Sequence, residues 1–395
     1  MTSRADAQEQ IDKSLRSAVE AREVPGVVAM ATSRNGPVYE GAFGVRDLGS
    51  GTAMTRDTVF RIASMTKAIT SVGAMQLVEE GKLSLDGPLP DIDPALSKPQ
   101  VLDGFDAAGQ PILRPAKRPI TLKHLLTHTA GFNYEAWNGN TLRYVATTDI
   151  PSTATGKRAA LRLPLGFDPG DRWEYGINID WVGLLIEAAS GKSIDVYLRE
   201  RVFAPLGLDD TGFVPTAEQR SRQASVHQRQ ADGGLVPQPI EIAPKPEFYA
   251  GGGGLYSTGG NYLRFLQALL NDGSLDGVQI LKPETVALMN RNQIGDLPAG
   301  TMKTFVPQRS NDVDFFPGQP IRWGLGYMMN MEAGPNGRSA GTVSWAGLFN
   351  SYYWLDPVRH IAGVILHQIL PFADHNAVRL YGRFERGVYT LVDAG

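Results

Sequence analysis

Strand patterns gather at the two ends of this chain and helical patterns fill its middle, which restricts the folds open to it. Near the start, residues 27–31 (Val-Val-Ala-Met-Ala) read as a buried strand. Asn35-Gly36 is a hairpin turn signal, with Val38-Tyr39 opening the return strand. Near the other end, residues 342–345 and 351–355 read as strands, and Asp356-Pro357 turns the second into a third at 361–367. Outside both groups lie helical patterns. Residues 2–24 place Ile11, Leu15 and Val19 on one face before Pro25 ends the run, and residues 377–391 repeat the spacing through Leu380, Phe384, Val388 and Leu391. Between them, residues 122–126, 180–189, 196–203 and 262–270 read as helices, and the Pro-, Gly- and Asp-rich stretch 86–119 as an extended excursion. These readings predict an α/β fold of the α+β type, with one antiparallel sheet closed by both termini, flanked by the terminal helices, and a helical lobe inserted. On that reading residues 1–85 and 235–395 form an α/β domain, residues 86–234 a mainly helical one, and the active site lies between them.

Composition narrows the function classes. At 395 residues, 42% hydrophobic and 20% charged, the chain is long enough for a large core and typical of a globular protein. A net charge of −3 carries no basic stripe suited to nucleic acid. Cysteine is absent, which removes disulfides, thiolate metal sites and cysteine nucleophiles together. No stretch has the apolar length needed to span a bilayer, and residues 2–24 lack the apolar run of a signal peptide, so the expected location is the cytoplasm.

One tetrad carries chemistry. Ser64-Met65-Thr66-Lys67 stands where Phe60-Arg61-Ile62-Ala63 gives way to a helical pattern, and no other serine in the chain has a lysine three residues on. Residues i and i+3 are neighbours on one helix face, so a hydroxyl and an amine would stand side by side in the first turn. A serine is a weak nucleophile until a base takes its proton. A partly desolvated lysine has its pKa lowered toward that task. The plain alternative is a solvated lysine following an N-cap serine. Ile69, Val72, Met75, Leu77 and Val78 continue the pattern to Gly81, and the small Ala68, Gly73 and Ala74 point to close packing on several sides. That predicts a central helix, which would hold a nucleophile more rigidly than a loop.

Four motifs in order then carry a resemblance that covers nearly the whole chain. The first runs from Phe60 to Lys67, and the second is Ile120-Thr121-Leu122-Lys123-His124-Leu125-Leu126-Thr127-His128-Thr129-Ala130-Gly131. The third begins at Pro169-Gly170 and passes through Trp173-Glu174-Tyr175 to Pro205-Leu206-Gly207-Leu208; the fourth is Ala250-Gly251-Gly252-Gly253-Gly254-Leu255-Tyr256-Ser257-Thr258. Together they resemble the class C β-lactamase-like serine hydrolases, with a β-lactamase/penicillin-binding-protein-like fold, and within these the family VIII carboxylesterases. The resemblance implies that Ser64, Lys67 and Tyr175 are the catalytic residues. It also implies that the backbone N–H groups of Ser64 and Leu348 form an oxyanion hole, and that Trp345, Ala346, Gly347 and Tyr134 line the substrate. Without it, Tyr175 would read as a half-buried tyrosine packed before a helix, Tyr134 as an ordinary loop residue, and Val343-Ser344-Trp345 as a plain core strand.

Two positions depart from the family pattern. Where penicillin-recognising relatives carry Lys-Thr-Gly, this chain has Trp345-Ala346-Gly347, which removes a cation that helps hold the substrate carboxylate and adds a large apolar surface. Where many members read Tyr-x-Asn, Tyr175-Gly176-Ile177 puts isoleucine at the amide position and Asn178 one residue late. Both departures argue against an efficient β-lactamase and for a short-chain ester substrate with slow β-lactam turnover at most. Arg322 is a candidate to replace the missing cation.

Other motifs compete with this reading. Gly337-Arg338-Ser339-Ala340-Gly341 matches the nucleophile elbow of the α/β-hydrolases, but that elbow needs a strand before the serine and a helix after it, whereas a turn and a strand flank Ser339. His124 and His128 have a metal-compatible spacing without an adjacent glutamate or an evident third ligand, so a structural cap at the end of a short helix is expected rather than zinc. The Gly251–Gly254 run lacks the Gly-Lys-Ser/Thr of a phosphate loop. The reading is a cofactor-free serine carboxylesterase working through an acyl-enzyme on a small-molecule ester, without metal, nucleic-acid or membrane partners. A β-lactamase, a D-amino-acid peptidase or amide hydrolase, and an acyltransferase are alternatives on the same fold. A catalytically silent protein binding an acyl or peptidoglycan fragment is the non-enzyme alternative. Residues 141–162 and 215–244 read as insertions that shape the pocket.

Overall fold

In the computed structural model, which describes residues 3–240 and 246–394, the two ends of the chain build a single eight-stranded sheet. Its strands are β1 (Gly26–Ser33), β2 (Gly36–Asp47), β3 (Thr52–Ala53), β4 (Ile321–Trp323), β5 (Met328–Asn330), β6 (Val343–Gly347), β7 (Ser351–Asp356) and β8 (Ile361–Leu366). Their order across the sheet is β4-β5-β6-β7-β8-β1-β2-β3, every neighbouring pair antiparallel. The N-terminal hairpin thus lies beside β8, the last of this sheet's strands in chain order. Residues 241–244 of the expected 215–244 insertion lie outside the described residues.

The central strands are buried on both faces, so they read as near-continuous apolar runs. Helices α1 (Arg4–Glu20) and α6 (His375–Asp393) cover one face and α5 (Gly259–Leu270) the other. The two-residue alternation of β7 shows how both faces are filled. Trp354 packs on Phe384 of α6 with ring centres 5.6 Å apart, while Tyr353 turns the other way onto Tyr262 of α5 at 5.3 Å. A Cβ on Gly363 of β8 would stand 2.1 Å from the Trp354 ring, so that cross-strand seat exists only for glycine. A buried ion pair ties α6 to the β5–β6 connection: Arg338 Nε donates to Glu385 Oε1 at 2.5 Å.

Several boundaries differ from the sequence reading. The first helix ends at Glu20, not at Pro25, because Arg22 takes a left-handed conformation (φ 58°) and the chain turns there. The excursion 86–119 contains a hairpin, Gln100–Phe105 with Pro111–Pro115. The short strands β4 and β5 carry no two-residue alternation long enough to be read. The last helix begins at His375, two residues before the expected start, because the Asp374 carboxylate caps the N–H groups of Asn376 and Ala377 at 3.1 Å each. Helix α2 (Thr66–Glu79) is the central helix: every residue from Thr66 to Leu77 is buried.

Candidate active site

Ser64 does not stand in the α-helix proper. It occupies a single 3-10 turn, Ala63–Met65, entered through Ala63 in a left-handed conformation (φ 43°). Such a conformation in a non-glycine residue costs free energy and persists only where the surroundings enforce it. Here Ile62 N–H donates to the Leu255 carbonyl at 3.1 Å, and Tyr262 Oη donates to the Met65 carbonyl at 2.9 Å. The chain then runs into α2, which places Lys67 in its first turn. Ser64 stays half-exposed, whereas Lys67 is completely buried.

The Lys67 ammonium donates to Ser64 Oγ at 3.1 Å, to Tyr134 Oη at 3.3 Å and to the Gly252 carbonyl at 2.6 Å. It also lies over the Tyr175 ring, 4.7 Å from its centre. Burial pulls the Lys67 pKa down to about 7, against the opposing pull of the Asp180 carboxylate. Asp180 is itself buried in the first turn of α4 (Asn178–Ser190), and its Oδ1 accepts from Gly252 N–H at 2.9 Å. Desolvation raises the Asp180 pKa, and Lys67 opposes that rise. One glycine therefore connects the two charges, its carbonyl on the ammonium and its N–H on the carboxylate.

This explains the first two glycines of the run 251–254. A Cβ on Gly252 would stand 2.9 Å from Asp180 Oδ2, and one on Gly251 would stand 2.9 Å from the Ile179 carbonyl and 3.2 Å from Thr70. The run lies between α2 and α4, and the missing side chains let its backbone reach both. Neither Asp180 nor the Gly252 carbonyl was assigned from the sequence. The available signal was an acid in the first turn of a predicted helix together with an unexplained glycine run.

The Tyr175 hydroxyl faces Ser64 and accepts a hydrogen bond from Trp345 Nε1 at 3.0 Å. Burial raises the phenol pKa, while the hydrogen bonds to Ser64 and Trp345 favour the phenolate. Trp345 is only 3% exposed and stands behind Tyr175, its ring 4.7 Å from that of Trp323. A buried indole N–H needs an acceptor, and the phenol oxygen supplies it. Tyr134 is half-buried beside Tyr175, with ring centres 5.3 Å apart.

Ala346 is buried in β6, opposite Tyr352. A Cβ on Gly347 would meet the Ile62 carbonyl at 2.4 Å, so glycine there lets the strand approach the serine segment. Leu348 begins the turn into β7, and its N–H has no hydrogen-bond partner among the described residues. On the same side, Ala63, Val226, Phe349 and Leu370 form a small apolar cluster separate from the main core, with Leu348 packed against it. Tyr175 also lines a cavity of about 430 Å³, together with Trp137, Asn138, Trp173, Glu174, Lys303 and Phe305; Ser64 and Lys67 are not among its walls.

The remaining sequence candidates have separate surroundings. Isoleucine 177 is fully buried, and Asn178 Nδ2 reaches His128 Nδ1 at 2.9 Å and the Phe132 carbonyl at 3.1 Å. His124 joins a capping box at the start, not the end, of α3 (Leu122–Leu126), and Thr121 is its partner. The His128 ring packs on Tyr175 at 4.7 Å. Ser339 lies in the connection between β5 and β6 with a strand after it, and its N–H donates to Asp356 Oδ2 at 2.9 Å. An Arg322 guanidinium nitrogen donates to the Ile321 carbonyl at 3.0 Å. Among the described residues no helix is long and apolar enough to cross a membrane, and no group of three or more His, Asp or Glu could hold a metal ion.

Comparison with known proteins agrees with this architecture. The beta-lactamase family model matches residues 11–386. Monacolin J acid methylbutanoyltransferase of Aspergillus terreus is 32% identical over 98% of this chain and 96% of its own length. Lovastatin esterase of Penicillium rubens is 30% identical over 97% of this chain and 99% of its own. The structure of unliganded simvastatin synthase from Aspergillus terreus superposes with a TM-score of 0.86 at 30% identity, covering 99% of this chain and 100% of that one.

Proposed function

The chain belongs to the beta-lactamase family of serine hydrolases and their acyltransferase relatives, and from that premise we propose that it is a serine carboxylesterase of the family VIII type. The observation that carries this reading is the buried Lys67 ammonium held 3.1 Å from the half-exposed Ser64 hydroxyl, with its pKa pulled down to about 7. Near neutral pH such a lysine is in part a free amine, able to accept the serine proton. Ser64 Oγ forms a bond to the ester carbonyl carbon as its proton passes to the Lys67 amine, directly or relayed through the Tyr175 hydroxyl. The N–H groups of Ser64 and Leu348 hold the resulting oxyanion. The C–O bond to the alcohol breaks, and the departing oxygen takes a proton from Tyr175 or Lys67. Water repeats the steps on the acyl-enzyme and releases the acid.

One surface adjoining Ser64 and one lined by Tyr175 suit the two halves of an ester. The cluster around Ala63, Phe349 and Leu370 suits a short acyl group, and the cavity beside Tyr175 suits the alcohol. A volume of about 430 Å³ far exceeds a water or methanol molecule. It supports a second reading, in which a large alcohol replaces water and the acyl group is transferred. The transferase named among the relatives favours the same alternative. Supplying a ring-bearing alcohol with a short acyl ester and measuring the ratio of new ester to free acid separates the two.

The test of the esterase reading is a comparison of substrates. A carboxylate-bearing β-lactam finds Trp345 where relatives place a cation, and that indole N–H is already engaged by Tyr175. Its amide side chain finds Ile177 in place of a carboxamide. A lost charge-assisted hydrogen bond is worth about 1.5–3 kcal/mol and a neutral one about 1 kcal/mol. The kcat/KM for C2–C6 acyl esters should therefore exceed that for a cephalosporin by at least ~10²-fold. Comparable values on one preparation would overturn the esterase reading in favour of a β-lactamase.

The pH dependence tests the base. If neutral Lys67 is needed, kcat/KM for an ester rises with pH through an acid limb centred near the Lys67 pKa of about 7. The Asp180 anion favours the ammonium, so Asp180→Asn should move the limb to lower pH while the retained amide oxygen still accepts from Gly252 N–H. A limb in the ordinary lysine range, or one unmoved in the variant, would remove Lys67 from that role.

A further inference from the structure

Asn350 closes the turn that carries the Leu348 N–H, and its side chain is saturated with hydrogen bonds. Its backbone is left-handed (φ 64°), a conformation asparagine tolerates better than other non-glycine residues. The side chain is fully buried. Its Nδ2 donates to the Ile369 and Pro371 carbonyls, both at 2.8 Å. Its Oδ1 accepts from Tyr352 Oη at 2.7 Å and from Asp374 N–H at 2.9 Å. A carboxamide has two donors and two acceptor sites, and all four are used. The Asn350 N–H meanwhile donates to the Gly347 carbonyl at 3.0 Å, and Ile369 N–H donates to the Phe349 carbonyl at 3.0 Å.

The turn 347–350 is therefore gripped from two directions. On one side Gly347 is pressed against the Ile62 carbonyl, two residues before the serine. On the other, Asn350 binds it to the segment 369–374. Between these contacts the Leu348 N–H is left unpartnered among the described residues. An oxyanion donor contributes most when its direction is set before the charge develops, because nothing then has to reorganise in the transition state.

We propose that Asn350 is a positioning residue for acyl transfer: its four-bonded side chain fixes the turn so that the Leu348 N–H points with that of Ser64 at the developing oxyanion. This inference rests on the roles proposed above for Ser64 and Leu348. Asn350 touches neither substrate nor nucleophile and acts through the backbone alone. The effect belongs to the transition state, so it lowers kcat and leaves substrate affinity and the titration of Lys67 unchanged.

Asn350→Gly tests this directly, since glycine keeps the left-handed backbone and deletes every side-chain bond. With an ester substrate, kcat should fall ~10- to 10²-fold, somewhat less than for removal of an oxyanion donor outright, with KM within about twofold. The rate at which an aryl phosphonate labels Ser64 should fall by the same factor, and the acid limb should stay in place. Tyr352→Phe removes a single bond to Oδ1 and should give the same signature at roughly two- to fivefold, which decides the matter should the glycine variant not fold. A folded Asn350→Gly or Tyr352→Phe protein with unchanged kcat overturns the inference. So does a loss accompanied by a proportional rise in KM or a displaced acid limb, which would mark general disturbance of the site. Failure of the underlying assignment is visible separately, because the parent protein would then not be labelled at Ser64 at all.

Discussion

Ser64→Ala is expected to lower kcat/KM for esters by at least ~10³-fold without altering the fold, because removal of a covalent nucleophile leaves only binding and oxyanion stabilisation to act. The substitution is structurally mild. Ser64 sits half-exposed on a one-turn 3-10 element, and the contacts that hold that element come from the backbone of Ile62 and Met65 rather than from its side chain. Residual turnover above ~1% of the parent, with contaminating esterase excluded by an independent preparation, would remove Ser64 as the nucleophile. Ser339→Ala is the matched control and should retain most activity, because Ser339 lies between two antiparallel strands and not on a strand-to-helix turn. Loss confined to the Ser339 variant would move the chemistry to that serine.

The second large effect concerns the proton. Lys67→Met and Tyr175→Phe should each cost ~10²-fold or more in kcat, and the double variant should be little worse than either alone. Both side chains face the Ser64 hydroxyl, and the ammonium lies 4.7 Å over the Tyr175 ring, so removing one disables the other. Methionine is the suitable replacement for a fully buried lysine, since it fills the space without a charge. It leaves the Gly252 carbonyl without that donor, so thermal unfolding has to be measured alongside activity. Multiplicative losses in the cycle would show two independent contributions and would divide the roles of base and acid between them.

The sheet and its helices were legible because their signals are local. Strands buried on both faces appear as apolar runs at 27–31, 351–355 and 361–367, and the terminal helices carry clear single-face spacing. The all-round burial of α2 was readable from its small residues, Ala68, Gly73 and Ala74. What escaped were features created by distant segments meeting. The Asp180–Gly252–Lys67 connection joins three parts of the chain, and neither an aspartate in a helix nor a glycine in a run announces the other. Trp345 reads as apolar surface, yet its one polar atom binds Tyr175. The close approach of Gly347 to the Ile62 carbonyl likewise joins segments far apart in the sequence. The left-handed conformation at Ala63 also has no local signature, since alanine rarely adopts it.

The proposed nucleophile and base and the cavity lined by Tyr175 occupy parts of the molecule with opposite tolerance of change. Ser64 and Lys67 are joined to a helix buried from Thr66 to Leu77, where almost any substitution disturbs packing shared with the core. The cavity walls at Thr301, Lys303 and Phe305 are exposed residues outside the sheet and helices. Substitutions there act on little besides what enters the cavity. If the cavity holds the alcohol as proposed, lineages sharing this fold could exchange one alcohol for another in few mutational steps, without stabilising changes elsewhere. Diversification of such enzymes should accumulate on the loop side of Tyr175 and spare the helix side.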